Sequence, residues 1–590
     1  MLARLPRPVA PLFVLACAIA PFAIGLGGWA LFEPDEGRNA EIAREMLASG
    51  DWVVPHLNGL PFLDKPPLLF WTIAASFRVF GESEWVARLP SMLGALATIA
   101  ATYAIARALL GGRTAITAAL VMATSPMLLI FGRLVIFDVP LTAFVTIAIY
   151  ALVRARLDGD GWPWLPVAGG AIGLALLTKG PVGMVLPLLV WIAARGALPK
   201  APMRRSRSAI AVAVALGAGL LASWIVCVAP REPDFLRYAI VDETFLRVTS
   251  TEHFRRGGPP YYYLQMLLWA TGIWIAMLAM FGPTLVRRRR AGGRDAAAID
   301  FAARAVAAIL LFFTLSASKR PQYILPALVP LALLVAIGIA ARPRFTATVV
   351  RRGGWIAAIV GAGVIVWLAT GIAPLTVRAK FPLETMIWIS AAVLLTWGIV
   401  TARLARRPRW AITCAAALGP LLFLSMLPPV ATYAERRSAR GLAARIPADV
   451  PVVCFDTYRT SLPFYLKRTV TVLSDGGTAL TSNYVVSQRA RLRGTTLRYE
   501  GALAQVLAAS PRSYVIVGKR RVHEIRRMVP EHPLVVVDRD DMSALLAPPS
   551  ARASGQVEDP HPTASRTGSA IPTSPPRTNA SISSIRAPAS

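Results

Sequence analysis

Residues 318–343 read SKRPQYILPALVPLALLVAIGIAARP, and no side chain between Gln322 and Ala341 carries a charge. An apolar run of roughly 20 residues is long enough to cross the hydrocarbon of a bilayer as a helix. Lys319 and Arg320 stand at one end and Arg342 at the other, where long cationic side chains reach the interfaces. The pattern recurs along the chain. We read about thirteen candidate spans, near 9–32, 89–110, 115–132, 139–153, 164–178, 181–195, 209–229, 262–284, 301–316, 322–341, 354–376, 385–402 and 411–430. Those near 139, 164 and 301 are short, and the pair near 164 and 181 is joined at Lys179-Gly180-Pro181.

Composition agrees. Of 590 residues, 55% are apolar and 16% are charged, with a mean hydropathy of +0.54. A soluble domain carries about 25% charge, so most of this apolar surface needs the bilayer as its solvent. A cytosolic enzyme, a disulfide scaffold and a mainly disordered protein are excluded. The net charge of +31 would suggest nucleic acid in a soluble protein. Here the cations form short clusters between apolar runs, which reads as topology and contact with anionic lipid, with no nucleic-acid partner. Cys17, Cys227 and Cys414 lie in apolar segments and Cys454 stands alone, so neither a disulfide framework nor a metal knuckle is expected.

Arg4 and Arg7 precede the first span, and every second connection is basic: Arg107/Arg113, Arg154/Arg156, Arg195 to Arg207, Arg287 to Arg294, Arg342 to Arg352 and Arg403 to Arg409. This alternation places the N-terminus in the cytoplasm. The first run lacks a clean cleavage site before Glu33 and reads as an uncleaved anchor. An odd number of spans puts the C-terminal part outside. The expected organisation is a membrane unit over 1–433, with external loops at 33–88 and 230–261, a small periplasmic α/β domain over 434–547 and a disordered tail over 548–590. Helical patterning marks Asp35–Leu47 and Pro66–Phe80. In the C-terminal domain, strands are expected at Val450–Phe455, Val470–Leu473, Tyr514–Val517 and Leu534–Val537, with amphipathic stretches at Leu503–Ala509 and Arg521–Met528.

Five polar clusters stand at the outer ends of spans. The first, FEPDEGRNAEIARE (32–45), puts Pro34, Asp35 and Glu36 at a helix start, where proline and acidic side chains suit the free N–H groups. Its plainer reading is a solvated amphipathic helix with pairs such as Glu41–Arg44. The second, LDKPPLLFW (63–71), sets Lys65 before an aromatic, apolar face. It is either a phosphate ligand or a lysine reaching for the interface. The third, RLVIFDVPL (133–141), places Asp138 at a span start, where a helix cap is the simpler role. The fourth, EHFRRGGPPYYY (252–263), and the fifth, SKRPQYILP (318–326), read as basic loops with aromatic anchors. Together they give the outer side Lys65, Arg255, Arg256, Lys319 and Arg320 beside Asp35 and Asp138. Positive-inside sorting argues against unused cations there. A lipid phosphate would use them, and carboxylates beside it could stabilise positive charge on a sugar carbon.

PDEGRNAEIAREM, LDKPPLLFW, RLPS (88–91), RLVIFDVPL, TKGP (178–181), EHFRR and SKRPQYILP occur in this order. The series resembles the ArnT family, transferases of 4-amino-4-deoxy-L-arabinose to lipid A, and more broadly the bacterial relatives of protein O-mannosyltransferases. The resemblance implies the GT-C fold, an undecaprenyl-phosphate-linked sugar donor and an inverting reaction at the periplasmic face of the inner membrane. It implies catalytic roles for Asp35 and Asp138, with Glu36 as a further acidic candidate. Lys65, Arg255, Arg256, Lys319 and Tyr323 are then expected to contact the donor phosphate. Asp64 and His253 would stand where the family can hold a divalent metal, with Asp64 in place of the more usual Glu. The acceptor stays open between lipid A, another envelope glycan and a protein hydroxyl. A transporter or flippase of a lipid-linked anion is the reading from a different class. It calls for polar groups near the bilayer midplane and an internal repeat, whereas the polar clusters here gather at one face.

Overall fold

In a computed structural model, residues 19–201, 207–245, 258–370 and 383–550 are described. Arg4, Arg7, His253, Arg255, Arg256 and the tail beyond Ser550 lie outside the described residues.

The chain runs through α1 (Asp35–Ser49), a hairpin of β1 (His56–Leu57) and β2 (Leu60–Pro61), α2 (Leu68–Phe80), α3 (Glu84–Leu110), α4 (Gly112–Ala123), α5 (Pro126–Phe131) and α6 (Asp138–Asp158). It continues through α7 (Trp164–Lys179), α8 (Val182–Ala194), α9 (Arg207–Val228), α10 (Tyr262–Thr271), α11 (Ile273–Arg290), α12 (Gly293–Leu315), α13 (Leu328–Ala341), α14 (Pro343–Thr370), α15 (Leu383–Leu404), α16 (Pro408–Ser425) and α17 (Leu427–Arg437). Among the described residues, seven helices are long and apolar enough to cross a membrane, or up to nine if each bent pair is one span; α2, α4, α7 and α8 are apolar but shorter.

Several expected spans are interrupted. The run near 115–132 divides at Thr124-Ser125, whose hydroxyls bond back to the Leu120 and Val121 carbonyls at 2.7 Å. Pro126 follows and has no N–H to continue the ladder. The run near 262–284 bends by 105° at Gly272, whose φ of +58° is open to glycine without strain. The first run is not one straight helix over its described part: helix ends at Ala23 and a turn follows to Trp29.

The C-terminal domain carries a six-stranded sheet in the order β5-β4-β3-β6-β8-β7. Its strands are β3 (Val452–Phe455), β4 (Thr471–Leu473), β5 (Leu497–Arg498), β6 (Tyr514–Gly518), β7 (Val535–Arg539) and β8 (Ser543–Ala547). The first four pair in parallel and β8 runs antiparallel to β6 and β7. The four expected strands and both expected helices are present. Missing from the expectation were β5, which is two residues long, and β8, SALLA, which is buried throughout and lacks β-branched residues.

This domain is bonded onto the first loop at three points. Glu33 accepts from the backbone N–H and hydroxyl of both Thr460 and Ser461 at 2.6–3.1 Å. Asn58 and Val470 exchange two hydrogen bonds of 2.8 Å. Asp64 accepts from the Asn483 and Tyr484 N–H groups. Gly37 lets α1 approach: a Cβ there would lie 2.6 Å from the Ser461 nitrogen. Glu84, at the start of α3, accepts from Arg440 and Tyr465. The far end of α3 is held by Arg294, which donates to the Ala108 and Leu109 carbonyls. At 1.5 Å per residue, α3 separates these ends by about 40 Å. The basic connection at Arg287 to Arg294 therefore lies at the end of the bundle opposite the α/β domain.

Candidate functional site

A cavity of about 450 Å³ opens between the first loop and the bundle, with polar side chains from Asp64, Lys65, Asp138, Lys179, Ser318, Gln322 and Tyr323. Its walls are largely apolar and come from Val185, Leu221, Trp224, Phe235, Leu236, Ile240, Phe312 and Phe313 among others.

Asp138 opens α6, where a carboxylate complements the helix dipole. It is also paired: the Lys179 ammonium lies 2.5 Å from one of its oxygens, with side chains 15% and 9% exposed. Lys179 ends α7, where Gly180 (φ +71°) and Pro181 stop the helix. The same ammonium sits 4.4 Å from the Tyr323 ring centroid. In the sequence Lys179 stands at a junction and in the TKGP motif, with no role of its own. A cation at the outer end of an apolar run was the signal that could have found it, by the argument already applied to Lys65. Lys65 donates to the carbonyl of Asp64 at 2.5 Å and lines the cavity.

Asp35 occupies the first turn of α1 and is not part of the cavity lining. Arg38 lies 2.5 Å from one of its oxygens and Arg320 lies 3.4 Å from the other. Arg38 also reaches Thr481 of the α/β domain. Since Ser318 lines the cavity and Arg320 grips Asp35, the segment 318–320 ties the two acidic positions to one region. Lys319 departs from expectation: it donates to the Ser316 carbonyl at 2.9 Å and does not line the cavity.

Glu36 is corrected more firmly. It is 2% exposed and does not line the cavity. Arg88 donates to both of its oxygens at 2.9 Å, and the N–H groups of Phe32 and Val135 add two more bonds. With four donors on one buried carboxylate, Glu36 fixes the exit of the first run against α3 and the 133–138 turn. The plainer reading of α1 as a solvated helix fails as well. Glu41 and Arg44 do pair, at 2.7 Å, but both are buried, and burial pushes the Glu41 carboxyl up to about 8 against the pull of Arg44.

Asp64, whose expected partner His253 lies outside the described residues, is held by three donors. One oxygen accepts from the Tyr238 hydroxyl at 2.6 Å and the Tyr484 N–H at 2.8 Å, and the other from the Asn483 N–H at 3.0 Å. A carboxylate used in this way orients the second loop and the α/β domain. Among the described residues, no group of three His, Cys, Asp or Glu side chains could hold an ion.

A family model for dolichyl-phosphate-mannose-protein mannosyltransferases matches residues 64–226. The undecaprenyl phosphate-α-4-amino-4-deoxy-L-arabinose arabinosyl transferase of Edwardsiella ictaluri is 30% identical over 62% of this chain and 66% of its own length. Transferase 2 of the same name from Pseudomonas fluorescens is 30% identical over 70% of this chain and 74% of its own. The chain thus spans about two thirds of the first relative and three quarters of the second. The crystal structure of ArnT from Cupriavidus metallidurans bound to undecaprenyl phosphate superposes with a TM-score of 0.73, at 23% identity, over 91% of this chain and 97% of that one. The chain belongs to the undecaprenyl phosphate-α-4-amino-4-deoxy-L-arabinose arabinosyl transferase (ArnT) family, membrane glycosyltransferases of the GT-C fold.

Proposed function

We propose that this chain moves 4-amino-4-deoxy-L-arabinose from undecaprenyl phosphate onto a phosphate of lipid A, at the periplasmic face of the inner membrane. The observation that carries the reading is the juxtaposition of Lys65 and Lys179 with Asp138 and Tyr323 at a largely apolar cavity. Such a chamber offers the polyprenyl chain a dry wall and its phosphate two ammonium groups. An attacking phosphate oxygen of the acceptor forms the new bond to the anomeric carbon, and the bond from that carbon to the donor phosphate oxygen breaks. The electron pair leaves on the lipid phosphate, whose growing charge the lysines stabilise. An acceptor phosphate is ionised at neutral pH and needs no general base. A protein hydroxyl would need one, which is the chemical difference from the mannosyltransferase reading. Asp138 holds the Lys179 ammonium in place, and Asp35 is assigned to the positive character that develops on the sugar carbon. Arg255 and Arg256 remain candidates for further phosphate contacts, and with them thirteen spans and a cytoplasmic N-terminus complete the proposed arrangement.

Membranes containing this chain should transfer label from an undecaprenyl-phosphate-linked aminopentose, and lipid A from expressing cells should gain one aminopentose by mass spectrometry. Unmodified lipid A together with glycosylated protein would favour the protein acceptor. Lys65→Ala and Lys179→Ala should each weaken donor affinity roughly ten- to a hundredfold, since a hydrogen bond to a charged group contributes about 1.5–3 kcal/mol. Titration of donor onto the purified variants checks this, and unchanged affinity would remove that lysine from the site. A reporter fused after Arg290 should read cytoplasmic and one fused after Pro549 periplasmic. Two reporters on the same side would break the proposed topology.

A further inference from the structure

Arg133 was singled out in the sequence only as the start of a motif, and the mechanism above does not use it. It is fully buried, and its Nη1 donates to the carbonyl of Pro21. Its Nε and Nη2 are buried with no hydrogen-bond partner among the described residues, and so is the Nε1 of Trp29. The three orphaned donors belong to two residues in contact: the Arg133 guanidinium stands 5.0 Å from the Trp29 ring centroid, and 5.1 Å from that of Phe423. Arg88 lies on Trp29 too, at 4.6 Å, but its charge is matched by Glu36. Among the described residues Arg133 has no such carboxylate. A buried guanidinium without an anion costs several kcal/mol, and buried N–H groups are almost always satisfied.

The surroundings indicate what would satisfy them. A Cβ built on Gly25 would come within 3.8 Å of Nη2 and 3.3 Å of the Leu427 side chain, and Gly25 stands in an exposed turn with Gly27 and Gly28. The rim of this turn is apolar: Ile24 is 51% exposed, and Leu421, on the helix that supplies Phe423, is 44% exposed. None of Trp29, Arg133 and Phe423 lines the donor cavity. We propose that Arg133 and Trp29 form a second anion site, which holds the phosphate of a membrane lipid while its acyl chains lie along Ile24 and the outer part of α16. Three N–H donors on two rigid planes suit the several oxygens of a phosphate. The apolar rim favours a lipid over inorganic phosphate.

The full chain, purified in dodecyl maltoside, is titrated with phosphatidylglycerol, with diacylglycerol of the same acyl chains, and with inorganic phosphate, and its thermal unfolding is followed. Phosphatidylglycerol should raise the Tm of the wild type by linkage, and Arg133→Met and Trp29→Phe should each lose at least about half of that rise. Diacylglycerol should give none of the Arg133-dependent part. Lys65→Ala should keep the full rise, which separates this site from the donor cavity, so the outcome does not depend on the reaction proposed above. If Arg133→Met does not accumulate, Trp29→Phe, which removes one donor and keeps an aromatic ring, carries the comparison. An equal rise in wild type and variants would overturn the proposal. So would an Arg133-dependent rise with inorganic phosphate alone, which would mark a free-anion site. A wild type that responds to none of the three would leave buried water as the partner and overturn it as well.

Discussion

Asp35→Asn should lower turnover by at least about a hundredfold, near 2.7 kcal/mol on the transition-state scale, with normal abundance and near-normal donor affinity. As the sugar carbon gains positive character, a fixed carboxylate favours the transition state over the ground state, and only such a difference accelerates the step. Asn keeps the volume and some of the hydrogen bonding to Arg38 and Arg320 but removes the charge. Those two arginines already balance Asp35 at rest, so a displacement of Arg38 or Arg320 by substrate would release the carboxylate toward the sugar. Arg320→Gln should therefore show a smaller loss of turnover than Asp35→Asn. The measurement is single-turnover transfer by purified variants, with donor affinity determined separately. If Asp35 served only to begin α1, Asn would replace it at little cost, because the two cap helices comparably. Near-wild-type turnover would then move the catalytic assignment to Asp138.

The polytopic plan, the α/β domain and the positions of its longer strands were legible because each rests on a local pattern: apolar length, flanking cations, β-branched runs. The helices at Asp35 and Leu68 were legible for the same reason. Roles that depend on distant partners were not. Asp35 and Glu36 are neighbours of one type in one motif, yet a helix turns successive side chains by about 100°. One carboxylate therefore meets Arg38 and Arg320, and the other is buried on Arg88, 52 positions away. The partners of Asp64, Tyr238, Asn483 and Tyr484, lie more than 170 residues downstream, beyond the reach of any local pattern. Lys179 was hidden for the opposite reason. It sits inside an almost unbroken apolar stretch, where its chain neighbours describe a junction and only the fold brings Asp138 and Tyr323 to it. Glu33 could not be read as a docking residue before the 459–461 turn was known to return to it.

The division of labour between the two neighbouring acids gives the other large effect. Glu36→Ala and Arg88→Met should each destabilise the fold by about 3–5 kcal/mol, the range for breaking a buried pair by removing one partner. Neither loss is merely the pair itself. Without Arg88, the carbonyls of Leu26, Trp29 and Ala30 lose their donors, and Glu36 keeps only its two backbone N–H bonds. Without Glu36, Arg88 is left charged in a site it shares with Arg133 across Trp29, where two guanidinium groups then face each other with no carboxylate. The Glu36→Ala loss should for that reason be the larger of the two. In the double variant Glu36→Ala/Arg88→Met, neither buried charge is orphaned, so the cost should fall clearly below the sum of the single changes. Thermal unfolding in detergent, read beside transfer activity at a temperature where each variant is folded, separates stability from catalysis. A Glu36→Ala protein that melted like the wild type but had lost turnover would return Glu36 to the catalytic set. A loss of melting temperature with activity retained in the surviving folded fraction would place it where the geometry does, in the frame that presents Asp35.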